Sequence, residues 1–377
     1  VPALAFATNF MWVMVIGILG PSLPAMVADL GITYAQAGFF FTLLSLGSLI
    51  GTSLGAISSD SLPRKFLYGM CVLVLSLGLF ALGFMPGYAL IALVIFLLSL
   101  MGSPIGAIGQ SIMLGMFPDK RERYLSFMTF FGAVGSLLAP VIVSLNFTAG
   151  LSWRWTFREV SVLALIVFVV LLATRIPRAP EGGVRASFLT IARHRGVITA
   201  AVLIFLSVAV DLGFSYWLAQ YFKSELHVSL RLSSSIVGVY LIGIIGGRVL
   251  VPVFLKRMSP RKNLVGGLAI SLVALAAFIL APWIPAKIIL CALYGFGIGP
   301  VFPLLVAQGT REFPKQAGAV TGVLYACMSL GGMVFPLLVG ALAGRWGIGR
   351  AYIFCAIMVG VLLAAVLTTK ESTTRRS

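Results

Sequence analysis

SDSLPRKFLYG fills residues 59–69, and KRMSPRKNLVG fills residues 256–266. Set side by side, Pro63, Arg64, Lys65, Leu67 and Gly69 meet Pro260, Arg261, Lys262, Leu264 and Gly266. Further along, Pro104, Phe117 and Pro118 meet Pro300, Phe313 and Pro314, and Gly135, Pro140 and Arg154 meet Gly331, Pro336 and Arg350. One such match would be chance. A near-constant offset held from residue 59 to residue 154 reads as an internal duplication.

What is duplicated follows from the flanks, which are long apolar runs. Of the 377 residues 60% are apolar and 10% are charged, against about 25% charged in a soluble domain. A water-soluble protein could not cover its surface with so few charges, so the solvent for most of this surface is lipid. The runs are continuous and near the roughly 20 residues that a spanning helix needs. They lack the period-two alternation of a membrane β-barrel strand. Helices also satisfy their own backbone hydrogen bonds, which lipid demands.

The pattern predicts twelve spans, at 3–27, 35–59, 66–85, 88–116, 125–147, 157–175, 197–222, 230–255, 263–282, 286–309, 317–342 and 350–369. The fold class expected is an all-α membrane protein of two parallel-repeat six-helix bundles, since an offset of six spans preserves topology. Pro177, Pro180, Gly182 and Gly183 mark a linker. The division is a bundle over 1–175, a cytoplasmic linker over 176–196 and a second bundle over 197–377. The chain begins at Val1, which points to residues missing before it. The first apolar stretch is long enough to span and is read as a span rather than a cleavable signal.

The net charge is +17. No basic stripe interleaved with aromatics accompanies it, so the charge is read as orienting the chain and not as binding nucleic acid. Loops after even-numbered spans and the C-terminal tail hold 19 of the 27 Lys and Arg residues. The positive-inside rule then places both termini in the cytoplasm, in an inner (plasma) membrane that the chain crosses many times. Cys71, Cys291, Cys327 and Cys355 fall in predicted spans without metal-ligand spacing and read as small buried apolar residues.

The stretch from Leu23 to Lys65 resembles the first helix end, second helix and following loop of the major facilitator superfamily. Its loop motif is roughly G-x-x-x-D-x-x-G-R-K. Asp60, Arg64 and Lys65 stand in matching places, while Ala56 and Pro63 replace the two glycines. The resemblance implies a gating latch at Asp60, Arg64 and Lys65. Parallel six-span halves are that superfamily's pattern. SVAVDLGFSYWLAQYFKSEL, from Ser207 to Leu226, resembles span 7 of the fucose–galactose–glucose permease branch. Asp211 there replaces the more usual glutamate, and Trp217 fills the aromatic place. The stretches 295–314 and 329–344 resemble spans 10 and 11 of that branch, whereas spans 1 and 4 lack the acid that some members carry.

Asp211 is the acid set deepest in a span. It sits about 20 Å along span 7 at 1.5 Å per residue. Placing Asp at a helix centre costs about 2.5–3.5 kcal/mol on insertion scales, and such residues usually face a cavity on a transport pathway. The group is expected to carry a coupling proton or to bind substrate. The competing reading is a structural Asp paired with another helix through Arg248. Arg248 itself reads as a gating residue or as an anchor snorkelling to the interface. Side chains expected to bind a polar, sugar-like substrate are Asn9, Trp12, Gln110, Tyr216, Trp217, Tyr240, Tyr294, Gln308 and Tyr325. The function expected is secondary active transport of a small solute by alternating access, coupled to protons through Asp211. The alternative is export of amphipathic drugs or lipids on the same fold. The partners expected are a small-molecule substrate, protons and the bilayer, with the protein a monomer. No cofactor or metal is called for, and enzymatic activity is not expected, since His194 and His227 lie in loops and nothing pairs catalytically with Asp211.

Overall fold

A computed structural model describes residues 1–61, 63–117, 120–176, 193–254, 259–311, 313 and 316–369, with backbone alone at 56–61, 114, 121–122, 251–254 and 317–319. Among these residues it is all-helical. Twelve spans are long and apolar enough to cross a bilayer: span 1 Pro2–Leu30, span 2 Tyr34–Gly55, span 3 Arg64–Leu82, span 4 Tyr88–Met113, span 5 Arg123–Thr148, span 6 Trp153–Ala173, span 7 Arg195–Ser224, span 8 Leu230–Leu250, span 9 Pro260–Leu280, span 10 Ile284–Arg311, span 11 Val320–Trp346 and span 12 Ile348–Thr368. Of the expected linker, residues 177–192 lie outside the described residues. Span 6 starts about a turn before its expected position, because the Ser152 hydroxyl accepts from the Arg154 amide (3.4 Å) and caps the helix earlier.

The helices form two six-helix bundles that repeat one packing scheme. Spans 1 and 5, 2 and 4, and 3 and 6 pack together in the first, as do 7 and 11, 8 and 10, and 9 and 12 in the second. Between the bundles span 2 meets span 11 and span 5 meets span 8. Each of these pairs maps onto the other under the six-span offset.

The repeat extends to single atoms. Pro104 has no amide to give the carbonyl four residues back, that of Leu100. This oxygen turns towards span 2, where a methyl group on Gly51 would lie 2.0 Å from it. In the second bundle Pro300 leaves the Phe296 carbonyl without its helical donor, and a methyl on Gly247 would lie 2.1 Å from that oxygen. Gly47 against Phe96 and Gly243 against Ala292 repeat the contact one turn away. Small residues let the backbones close up where lipid supplies no hydrophobic force between helices. The ends repeat as well. Asp29 closes span 1 and binds Arg154 and the Trp153 indole (3.1 Å) at the start of span 6. Its counterpart Glu225 closes span 7 and accepts the Ile348 and Gly349 amides at the start of span 12, where a helix N-terminus favours negative charge.

Two spans are broken. Span 1 is Pro2–Gly17 followed by Leu19–Leu30. Pro21 lacks the amide that would reach the Gly17 carbonyl, so the ladder fails there. Span 10 is Ile284–Ile298 followed by Val301–Arg311, interrupted at Gly299–Pro300. Both breaks lie beside the cavity described next.

Candidate functional site

Hydrogen bonds and ring contacts join the bundles at one end. Every hydrogen bond described between them lies on the side away from the termini. Thr42 Oγ1 donates to the Met333 carbonyl (2.7 Å), Ser234 Oγ to the Pro21 carbonyl (2.8 Å), and the Ser144 and Ser235 hydroxyls bond each other (2.8 Å). Phe41 stacks on Tyr216 with ring centres 4.0 Å apart, and Tyr34 meets the Trp217 ring edge-on. Gly38 and Gly340 allow spans 2 and 11 to close, since a methyl on Gly340 would lie 2.6 Å from the Tyr34 carbonyl.

Below this seal lies a cavity of about 360 Å³ between spans 1 and 5 on one wall and spans 7 and 8 on the other. That falls within the roughly 300–1,000 Å³ of small-molecule sites. Pro21, Tyr216 and Val237 form its deep end, and Asn9, Thr129 and Arg248 lie towards the termini. Apolar and small side chains such as Val13, Ile16, Gly132, Leu212 and Ile244 make up most of its surface.

Asp211 is on this wall, on the face of span 7 that also presents Leu212, Ser215 and Tyr216. The Tyr240 hydroxyl, from span 8, donates to its Oδ1. Tyr240 is fixed from behind. Its ring stacks with that of Tyr294 at 6.1 Å, and Tyr294 is tied by its hydroxyl to the Val210 carbonyl (3.2 Å). Phe214 packs against both rings and against Tyr352, whose hydroxyl bonds the Phe214 carbonyl (3.1 Å). The carboxyl group is therefore held at the edge of a rigid aromatic cluster, with one side facing the open space.

Of the other expected binding residues, Asn9, Tyr216 and Tyr240 line the cavity. Asn9 is oriented by its Nδ2, which donates to the Met128 carbonyl (2.7 Å). The rest are placed away from its lining. Trp12 is buried against span 4, filling the room left by Gly102, where a methyl would lie 2.0 Å from the indole. Trp217 is fully buried, its Nε1 donating to the Pro336 carbonyl (2.9 Å), so it joins spans 7 and 11 and is neither in the cavity nor in an interfacial belt. Tyr294 sits one layer back, as described. Gln110 and Gln308 are exposed on the termini side. Tyr325 is 43% exposed there, edge-on to Phe302. One face of Tyr216 is already covered by Phe41.

The expected gating residues behave differently. The Asp60 side chain lies outside the described residues. Arg64 donates to the Ser111 hydroxyl on span 4 (3.0 Å), and Lys65 to the Leu172 carbonyl at the end of span 6 (2.7 Å). Arg261 repeats the second bond on the Leu367 carbonyl (2.7 Å) at the end of span 12. These bonds stay within a bundle, and those of Lys65 and Arg261 cap helix C-termini, where cations are favoured. Arg248 does not pair with Asp211 at ion-pair distance. It lines the cavity, and its Nε donates to the Gly299 carbonyl (3.1 Å) at the break in span 10. Pro303 has no amide for that carbonyl, which leaves it open to Arg248.

Sequence reasoning passed over Thr129, Ser136 and Ser215 on the cavity wall. Ser215 lies one turn after Asp211, a spacing that would have signalled it. Glu159 lies within span 6 and accepts from Asn146 Nδ2 (2.8 Å). Among the described residues no three His, Cys, Asp or Glu side chains gather as a metal site.

The chain is 21% identical over 352 residues to a protein TsgA homolog of Erwinia tasmaniensis, covering 89% of this chain and 86% of that one. It is 18% identical to the protein TsgA homolog of Buchnera aphidicola, with the same coverage. Among solved structures it resembles nucleoside transporter NupG, with a TM-score of 0.78 and 18% identity over 98% of both chains. It also resembles a bacterial homolog of the human lysosomal transporter Spinster in an inward-facing, unoccupied conformation, with a TM-score of 0.80 and 16% identity over 97% of this chain and 94% of that one. The sequence model described as Major Facilitator Superfamily matches residues 5–336. The chain belongs to the Major Facilitator Superfamily.

Proposed function

We propose that this superfamily member is a secondary active transporter that moves a small polar solute by alternating access, with Asp211 carrying a coupled proton. The observation that carries this reading is the placement of Asp211. A membrane-embedded carboxyl group faces a closed-ended cavity between two pseudo-equivalent bundles, and Tyr240 holds it there. Keeping an ionisable group in a span is costly and is the mark of a pathway. Parallel repeats around a midplane site supply the two states, because the bundles 1–175 and 197–377 can rock about the linker 176–196. With the termini in the cytoplasm of an inner-membrane, monomeric protein, the seal formed by Thr42, Ser234 and Phe41 is the outer gate, and the state described is inward-facing.

A neutral sugar is the weaker version of this reading. It needs several hydrogen-bonding groups and an aromatic face free for stacking. Six of the nine side chains expected for it are off the cavity lining, and Tyr216 already stacks on Phe41. Export of amphipathic compounds gains from the mostly apolar wall of the cavity. The charged and hydrogen-bonding groups on spans 7 and 8 favour a solute with a definite polar end.

The test is transport in proteoliposomes with a compound chosen by thermal-shift screening. Wild type should accumulate it down an imposed pH gradient. Asp211→Asn should retain solute exchange at zero gradient and lose gradient-driven accumulation. Full accumulation by Asp211→Asn rules out the coupling role.

A further inference from the structure

The cavity carries its charge on one wall. Spans 7 and 8 contribute Asp211 and Arg248, whereas spans 1 and 5 line it with Asn9, Thr129, Ser136 and uncharged apolar or small residues. Tyr240, Ile244 and Arg248 recur every four residues on one face of span 8. The Cα atoms of Tyr240 and Arg248 are therefore about 12 Å apart along the axis. Leu241, Ile244 and Ile245 line the stretch of wall between them.

Arg248 is arranged as a receptor for an anion. Its Nε is anchored on the Gly299 carbonyl, which fixes the plane of the guanidinium. The four N–H donors of the two terminal nitrogens form the fork that matches a carboxylate or phosphate. The one ion pair among the described residues is Arg154–Asp29, on the far side of the molecule. A guanidinium in a membrane cavity with no carboxylate at ion-pair distance is tolerable while water reaches it, and is costly once the cavity is occluded.

We propose that the substrate is a small organic anion, a carboxylate or a phosphate monoester, whose charge docks on Arg248 and whose opposite, hydrogen-bonding end reaches Asp211 and Tyr240. This rests on the transport reading above and names its substrate class. It also supplies a coupling rule. The empty cavity balances Arg248 with an ionised Asp211. The loaded cavity balances Arg248 with a singly charged substrate, a carboxylate or the monoanion of a phosphate monoester, which requires Asp211 to hold a proton. Either ligand alone leaves a net charge that opposes occlusion, so proton and anion cross together and the bundles return empty. The groups that face Asp211 are Tyr240 and Arg248 from span 8, Tyr294 from span 10 and Tyr216 from span 7. Spans 1 and 5 bring no ionisable side chain to the cavity.

The experiment is a thermal-shift and binding screen of the purified full chain at one pH, using matched pairs: glucose 6-phosphate and glucose, gluconate and glucose, glycerol 3-phosphate and glycerol, benzoate and benzamide. The expected result is that stabilising compounds are anionic and their neutral partners are not. Arg248→Gln should weaken that binding by about tenfold or more, and Arg248→Lys should recover part of it. Arg248→Gln should elute and melt like wild type without ligand, which separates loss of the receptor from misfolding. Equal binding of the neutral partners, indifference to Arg248→Gln, or no binding by any anionic member at millimolar concentration overturns the substrate class. The transport reading fails separately: anion binding through Arg248 with no flux in proteoliposomes would sink transport and leave the anion site standing.

Discussion

Tyr240 on span 8 donates its hydroxyl to Oδ1 of Asp211 on span 7, and the stacked ring of Tyr294 holds Tyr240 in place from behind. The hydrogen bond joins the two helices that form the charged wall of the cavity. Any change in the charge of Asp211 is therefore felt directly by span 8, which also meets span 5 across the bundle interface.

Tyr240→Phe tests this bond while keeping the ring between Phe214 and Tyr294. Losing one neutral partner costs about 0.5–1.5 kcal/mol in stability, a change that leaves the fold intact. Transport should suffer more than stability. We expect the pH dependence of uptake to shift in Tyr240→Phe with an almost unchanged melting temperature. An unaltered pH profile would mean that Tyr240 does not act on Asp211.

The proline–glycine contacts predict a steep sensitivity at Gly51 and Gly247. A methyl on either would enter a backbone carbonyl on the next helix, at 2.0 or 2.1 Å. Backbone cannot give way cheaply there, so Gly51→Ala and Gly247→Ala should each destabilise by about 1–3 kcal/mol, the usual cost of overpacking. Gly266→Ala, on span 9 with open space where its methyl would sit, should be neutral or mildly stabilising. Melting curves of the detergent-solubilised variants distinguish the two cases, and equal effects at all three positions would refute the packing account.

Glu225 holds the first amides of span 12. Glu225→Gln keeps an acceptor and loses the charge, and should cost up to about 1 kcal/mol. Glu225→Ala should cost more, because it leaves the Ile348 and Gly349 amides without their cap. A hydrogen-exchange measurement on peptides covering 348–352 should show faster exchange in the Ala variant than in the Gln variant. The reverse order would argue against capping by this carboxyl group.

Gly340 offers a way to bias the carrier. Its missing side chain leaves room for the Tyr34 carbonyl and the Trp217 ring at the outer seal. Gly340→Val should wedge spans 2 and 11 apart at that end and favour the state open on the side away from the termini. A cysteine placed at Ser235 should then be alkylated from that side faster than in the unwedged protein. Unchanged labelling would place the moving contact elsewhere.

Much of the architecture was legible from the chain because lipid imposes it. Length and apolarity mark the spans, and the matched PRK turns at 63–65 and 260–262 expose the repeat. The depth of Asp211 in span 7 pointed to a cavity on energetic grounds. The facing of side chains was less legible. In a soluble helix the polar outer face reveals the buried one, but a helix in lipid is apolar all round, so the stripe that reads orientation is missing. Trp12, Trp217 and Tyr294 read as ligand-facing for that reason and are packed between helices instead. Arg248 was ambiguous because a long cation reads the same as anchor, gate or receptor. Its placement depends on a carbonyl that Pro303 leaves without a donor, a contact between spans 8 and 10 that local sequence does not encode.

The central claim is a cavity between two like bundles that opens towards the termini and is sealed on the other side. Ala133 lines that cavity on span 5, and the measurement is alkylation of Ala133→Cys, in a Cys327→Ser background, by a membrane-impermeant maleimide in oriented vesicles. With the termini side exposed to reagent, the account predicts rapid labelling, slowed by any compound that binds. With only the opposite side exposed, it predicts slow labelling that Gly340→Val accelerates. Rapid labelling from the opposite side alone, or from neither side, would contradict it.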